Sequence, residues 1–114
     1  MENVNKAIIQ GVVWNVSYQC VSGQNLLLFT VLTCYINKES DGTVEVEDTL
    51  HRVSYLFECD DEAPLLRKGS EVTVEGRIVE ERFCDNGGNE KSTFFIRAEK
   101  IAIIPKTDSK TTGK

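Results

Sequence analysis

The sequence predicts an all-β domain: a five-stranded closed barrel with one short helix between the third and fourth strands. Three observations carry this. Five runs rich in β-branched and aromatic residues are separated by turn-forming clusters. One of them, Val72-Thr73-Val74-Glu75-Gly76-Arg77-Ile78, alternates with period two. The one stretch with helix polarity, between Glu58 and Gly69, is short and follows the third run.

The chain of 114 residues has room for one domain and one core. With 40% hydrophobic and 27% charged residues and two prolines, its composition is that of a globular protein. No run of about 18 apolar residues occurs and no basic-then-apolar leader opens the chain, so a cytoplasmic location without membrane contact is expected. The net charge is −5; the last ten residues, with three lysines and one aspartate, contribute +2, leaving −7 for the residues before them. This acidic body is opposite to the usual footprint of a nucleic-acid binder.

The first strand is expected over Ala7 to Asn15, bent at Gly11 so that one strand serves both sides of a small barrel. After a turn containing Ser22-Gly23, the second runs from Asn25 to Ile36. It is apolar at nearly every position from Leu26 to Leu32, so both its faces need cover. Asn37 to Thr43, with its Asp41-Gly42 pair, reads as an exposed hairpin loop. The third strand, Glu45 to Phe57, puts His51, Val53, Tyr55 and Phe57 on the core side, and Leu50, Arg52, Ser54 and Leu56 on the other. Asp60, Asp61 and Glu62 begin the short helix and Arg67 and Lys68 end it, each suited to the helix dipole, with Gly69 as the cap; a solvated face explains these acids better than a magnesium site does. The fourth strand, Glu71 to Glu81, directs Val72, Val74, Gly76 and Ile78 inward. A turn cluster from Asp85 to Glu90 leads to a fifth strand, Ser92 to Ile104, in which Phe94, Ile96 and Ala98 share a face before the parity slips at Ile101, as a bulge would make it. The barrel domain is thus placed at 1–104, with 105–114 as a flexible tail.

This order of elements is that of an OB-fold, a Greek-key barrel. The chain also resembles the bacterial single-stranded DNA-binding protein family. The resemblance rests on Asn5-Lys6-Ala7-Ile8-Ile9-Gln10-Gly11, on His51-Arg52-Val53, on Leu66-Arg67-Lys68-Gly69-Ser70 leading into Val72 to Arg77, and on the hairpin from Asp85 to Lys91. It spans nearly all of Asn5 to Ile104. What it implies is a homodimer or homotetramer that holds single-stranded DNA without reading sequence, by basic side chains on phosphates and rings under bases.

Carried over residue by residue, the resemblance implies DNA contacts at Arg52, Lys68, Arg82 and Phe83, with Tyr35 as a candidate stacker. Two of the family's aromatic positions are occupied by Leu50 and Leu56, which offer no ring, and Glu80 and Glu81 stand where the family tends to be basic or neutral. Weakened or salt-sensitive binding is the expected consequence. The same resemblance makes His51 a structural histidine at a subunit contact. Trp14, a large ring beside a strand, is assigned to the oligomer interface.

Cys20, Cys34, Cys59 and Cys84 form no CxxC pair and His51 is the single histidine, so no metal site is expected; three of the cysteines read as small buried hydrophobes. No nucleophile constellation or phosphate-cradling glycine loop appears, which argues against an enzyme, a cofactor or a small-molecule substrate. Two readings follow: a single-stranded DNA-binding protein, or an oligomeric protein-interaction module of the same lineage whose DNA face has decayed.

Overall fold

The computed structural model describes residues 2–58 and 66–105. Five long strands, β1 (Ala7–Val21), β2 (Gln24–Lys38), β3 (Val44–Glu58), β4 (Glu71–Cys84) and β5 (Glu90–Ile104), close into a barrel in the order β1-β2-β3-β5-β4. All neighbours are antiparallel except β3 and β5, which meet in parallel through Val53 and Ser54 against Ile96 and Arg97.

Closure depends on β1, whose first half, to Val12, pairs with β4 and whose second half pairs with β2. The two sides meet at Gly11, where a Cβ would overlap the carbonyl oxygen of Leu32. The strand is continuous through this glycine; its register breaks three residues later, with Trp14 as the extra residue between Val13 and Asn15. A second irregularity sits where the parity slip in the fifth strand places it. Glu75 pairs with Lys100 and Gly76 with Ala98, leaving Glu99 as the bulged residue. Before the first pairing, the Asn5 side chain both donates to the Ile78 carbonyl at 2.7 Å and accepts from the Ile78 N–H at 2.9 Å, extending the β1–β4 ladder by a side-chain mimic of a strand.

Alternation fills the barrel. Leu27, Phe29 and Val31 from β2, Val53 and Phe57 from β3, Val72 and Val74 from β4, and Ile96 and Ala98 from β5 are buried together with Val13 and Leu66. Ile78 and Phe94 keep the inward parity read from the sequence but are 48% and 58% exposed, which corrects their assignment to the core. They lie at the rim of the barrel, where the inward side of the strand is no longer covered from across the interior. Cys34 and Cys84 are exposed rather than buried for a related reason, since they sit where the strands run on as two-stranded arms, and Cys20 is exposed beside the β1–β2 turn. Of the helix expected between Glu58 and Gly69, residues 59–65 lie outside the described residues, as do most of the tail and Cys59; residues 66–69 form coil and a turn.

Two arms leave the barrel, β2–β3 beyond Leu32 and Leu50, and β4–β5 beyond Glu80 and Phe94. Their tips are built alike. In each, Gly42 (φ 92°) or Gly88 (φ 81°) adopts the left-handed conformation and donates to the carbonyl three residues back, Glu39 at 3.0 Å and Asp85 at 3.0 Å. The Asp85 carboxylate accepts from the backbone N–H groups of Asn89 and Gly87, both at 2.9 Å, and with the Lys91 ammonium at 3.4 Å this holds its carboxyl below the ordinary aspartate value despite the opposing effect of partial desolvation. A lowered folded-state pKa gives stability that is present above the unfolded aspartate value and lost as pH falls through the folded one. The protection of the amide protons at this tip, relative to their intrinsic exchange rate at each pH, is therefore expected to hold at neutral pH and to fall as pH drops below about 4, with an NMR titration placing the Asp85 midpoint below that of a model aspartate.

Candidate nucleic-acid interface

Because inward residues on β2 and β3 alternate with outward ones, the outer sheet face carries its own row of side chains. Leu26, Leu28 and Thr30 of β2 stand beside Leu56, Ser54 and Arg52 of β3 in direct cross-strand register. Phe95 and Arg97 of β5 continue the floor, while Asn15 and Ser17 of β1 and Glu81 of β4 form its margins. Together they line an open, mostly apolar groove of about 510 Å³. The outer face of the second strand, which the sequence shows must be covered, is the half-buried floor of this groove.

Two cations serve it. Arg52 is held by hydrogen bonds from Nη2 to the Thr93 hydroxyl at 2.7 Å and the Phe94 carbonyl at 3.4 Å. The Arg97 guanidinium lies over the Phe95 ring, 5.7 Å from its centroid. Thr30 donates to Asn15 Oδ1 at 3.0 Å, tying the β1 margin to the floor. Opposing these, Glu81 puts a carboxylate at the β4 margin.

Arg52 and Leu56 therefore meet in one groove. Leu50 lies next along the same face of β3 and lines a neighbouring hollow with Ile8, His51, Ile78 and Phe94. Phe83 shares the side of its arm with Glu81 and so looks toward the groove, whereas Arg82 is on the opposite side in an ion pair with Glu80 at 3.2 Å. Tyr35 falls on the opposite side of the β2–β3 arm from Leu50 and Arg52, in register with Glu47; Ile36 takes the groove side. Lys68 and Trp14 line neither hollow and face each other, the ammonium 5.2 Å from the ring centroid. His51 Nε2 shares a hydrogen bond of 2.9 Å with the Thr33 hydroxyl.

Neither Phe95 nor Arg97 is among the DNA contacts that the resemblance implies. The available signal was their parity, since both flank the buried Ile96 and so share the outer face. Among the described residues no group of three or more His, Cys, Asp or Glu side chains is placed to hold a metal ion.

The closed five-stranded barrel, with an open groove across β2, β3 and β5 and two β arms flanking it, has the architecture of an OB-fold. No family model matches the chain. A single-stranded DNA-binding protein of Xylella fastidiosa is 27% identical over 105 residues, covering 89% of this chain and 63% of that protein; the chain thus spans less than two thirds of its relative's length. Among solved structures, the Plasmodium falciparum SSB in complex with ssDNA superposes with a TM-score of 0.77 at 17% identity, over 92% of this chain and 98% of that one. A deletion mutant of the single-stranded DNA binding protein from Thermus aquaticus gives 0.76 at 23% identity, over 92% and 52%. The resemblance read in the sequence is met in both sequence and fold: the chain is an OB-fold protein similar to the single-stranded DNA-binding proteins.

Proposed function

We propose that the chain binds single-stranded DNA without sequence specificity along the outer groove. The observation that carries this is the pairing of Arg52 and Arg97 with the apolar floor of Leu26, Leu28, Leu56 and Phe95, in a chain whose relative bears the same activity in its name. Exposed Arg52 suits a phosphate, half-buried Arg97 adds positive potential to the floor, and the flat apolar floor suits base faces. With leucines in place of rings, less stacking energy is available, since base–aromatic stacking contributes about 1–3 kcal/mol per base.

The exposed cluster of Ile8, Leu50, Ile78 and Phe94 beside His51 supports self-association, as a dimer or tetramer, through this neighbouring hollow. In that assembly Lys68, Arg82 and Phe83 supply further contacts to a strand that leaves the groove along the arms. On this reading the chain protects or organises unpaired DNA during replication, repair or mobile-element transfer, and the likeness to a Xylella fastidiosa protein supports a bacterial, cytoplasmic setting.

One observation favours the second reading, an interaction module with a decayed DNA face: Glu81 stands in the groove itself, and the β2–β3 arm carries Glu39, Asp41, Glu45, Glu47 and Asp48 against Lys38 alone. Fluorescence anisotropy with labelled oligo(dT) separates the two. Binding at low salt that weakens as salt rises is the expected result. No retention of oligo(dT) even at low salt, by a protein that light scattering shows to be an intact oligomer, would establish the module instead.

A further inference from the structure

Among the described residues, two buried side-chain polar atoms have no hydrogen-bond partner, Ser54 Oγ and Arg97 Nε. They are not scattered. Ser54 and Arg97 are directly paired across the parallel β3–β5 contact that closes the barrel, and both line the outer groove. Ser54 is 5% exposed, so its hydroxyl is denied water as well as protein. An unsatisfied buried polar atom costs roughly 1–3 kcal/mol, and two side by side on one groove floor call for a ligand that satisfies both.

The chemistry of the pair and its surroundings select the ligand. Arg97 Nε–H donates only, whereas the serine hydroxyl donates or accepts. The atoms lie among Leu28, Leu56 and Phe95, where a phosphate would be stripped of water on an apolar floor; the part of a nucleotide that combines apolar faces with a polar edge is its base. We propose that Ser54 and Arg97 form a base-edge subsite, taking one nucleobase of the bound strand edge-first, with Arg97 Nε–H donating to a ring nitrogen or carbonyl and Ser54 Oγ completing the edge. This rests on the reading of the groove as a single-stranded DNA site and goes beyond it, since it replaces ring stacking by hydrogen bonding at one position. Entry requires a rotamer change at Leu56 or Arg97, whose side chains are only partly buried.

The test compares a thymidine oligomer with an abasic oligomer of the same length across a salt series, for the wild type, Ser54→Ala and Arg97→Lys. Arg97→Lys keeps the charge and removes the Nε–H. Each variant is expected to bind the thymidine oligomer about three- to tenfold more weakly, with abasic binding and the slope of log K against log salt unchanged. Thermal melting of Ser54→Ala at or above the wild-type temperature shows that the fold is intact, because the substitution removes an orphaned group. Equal losses on both oligomers would mean a contact to the sugar-phosphate backbone rather than to a base and overturn the proposal. Unchanged thymidine binding in both variants would also overturn it while leaving the groove's function standing; a wild type that binds neither oligomer overturns both.

Discussion

Replacing Leu27 with alanine is expected to destabilise the domain by about 2–5 kcal/mol, a large share of the roughly 5–15 kcal/mol that holds a domain of this size. Leu27 is completely buried on the inner face of β2, between Tyr18 of β1 and Tyr55 of β3 in register, so the lost atoms leave a cavity that a closed barrel cannot collapse around. Leu28 is the control. It stands one residue on, half-buried on the groove face, and Leu28→Ala is expected to cost less than half as much, because the exposed side of the sheet has no cavity to leave. Urea denaturation of the two variants reads the difference. Equal losses would mean that the second strand has no inner and outer face, and the barrel assignment would fall with it.

That contrast shows how much of the fold is legible in the residues. Period-two text in β3 and β4 gives the inward side because side chains of a strand alternate whatever the tertiary context. It does not give the place where the barrel stops: Ile78 and Phe94 keep the parity of Val74 and Ile96 yet are exposed, since what lies opposite them depends on strand order. Gly11 is visible as a special position, but whether it bends, bulges or admits a neighbour is decided by the Leu32 carbonyl, which is 21 residues away in the chain. The groove is legible only in halves. Arg52 and Leu56 follow from their own strand, and counting along the unbroken β2–β3 ladder would have placed Ile36 rather than Tyr35 on their side. Ser54 and Arg97 come together through the β3–β5 contact, a parallel closure without a connecting hairpin, so no turn in the sequence announces their register.

Reversing the charge at Glu81 is expected to have the largest effect on binding. Glu81 is the carboxylate at the margin of a groove whose positive potential comes from Arg52 and Arg97, so it opposes each phosphate of a strand that enters the groove. Glu81→Lys removes one repulsion and adds one attraction. Binding of oligo(dT) at low salt should tighten by about tenfold, and the salt dependence should steepen by up to about 0.7 in the slope of log K against log salt, the increment for one more neutralised phosphate on a single strand. Glu71→Lys makes the same change in net charge at an exposed site that lines neither hollow, and is expected to change affinity by much less, because at about 0.1 M salt charges further than about 10 Å from the strand are screened. Anisotropy titrations of both variants therefore separate a local effect from a global one. Equal gains would show that the acidic body as a whole limits binding; a gain confined to Glu81→Lys would place the path of the strand along the β2–β3–β5 face, past the carboxylate that now restrains it.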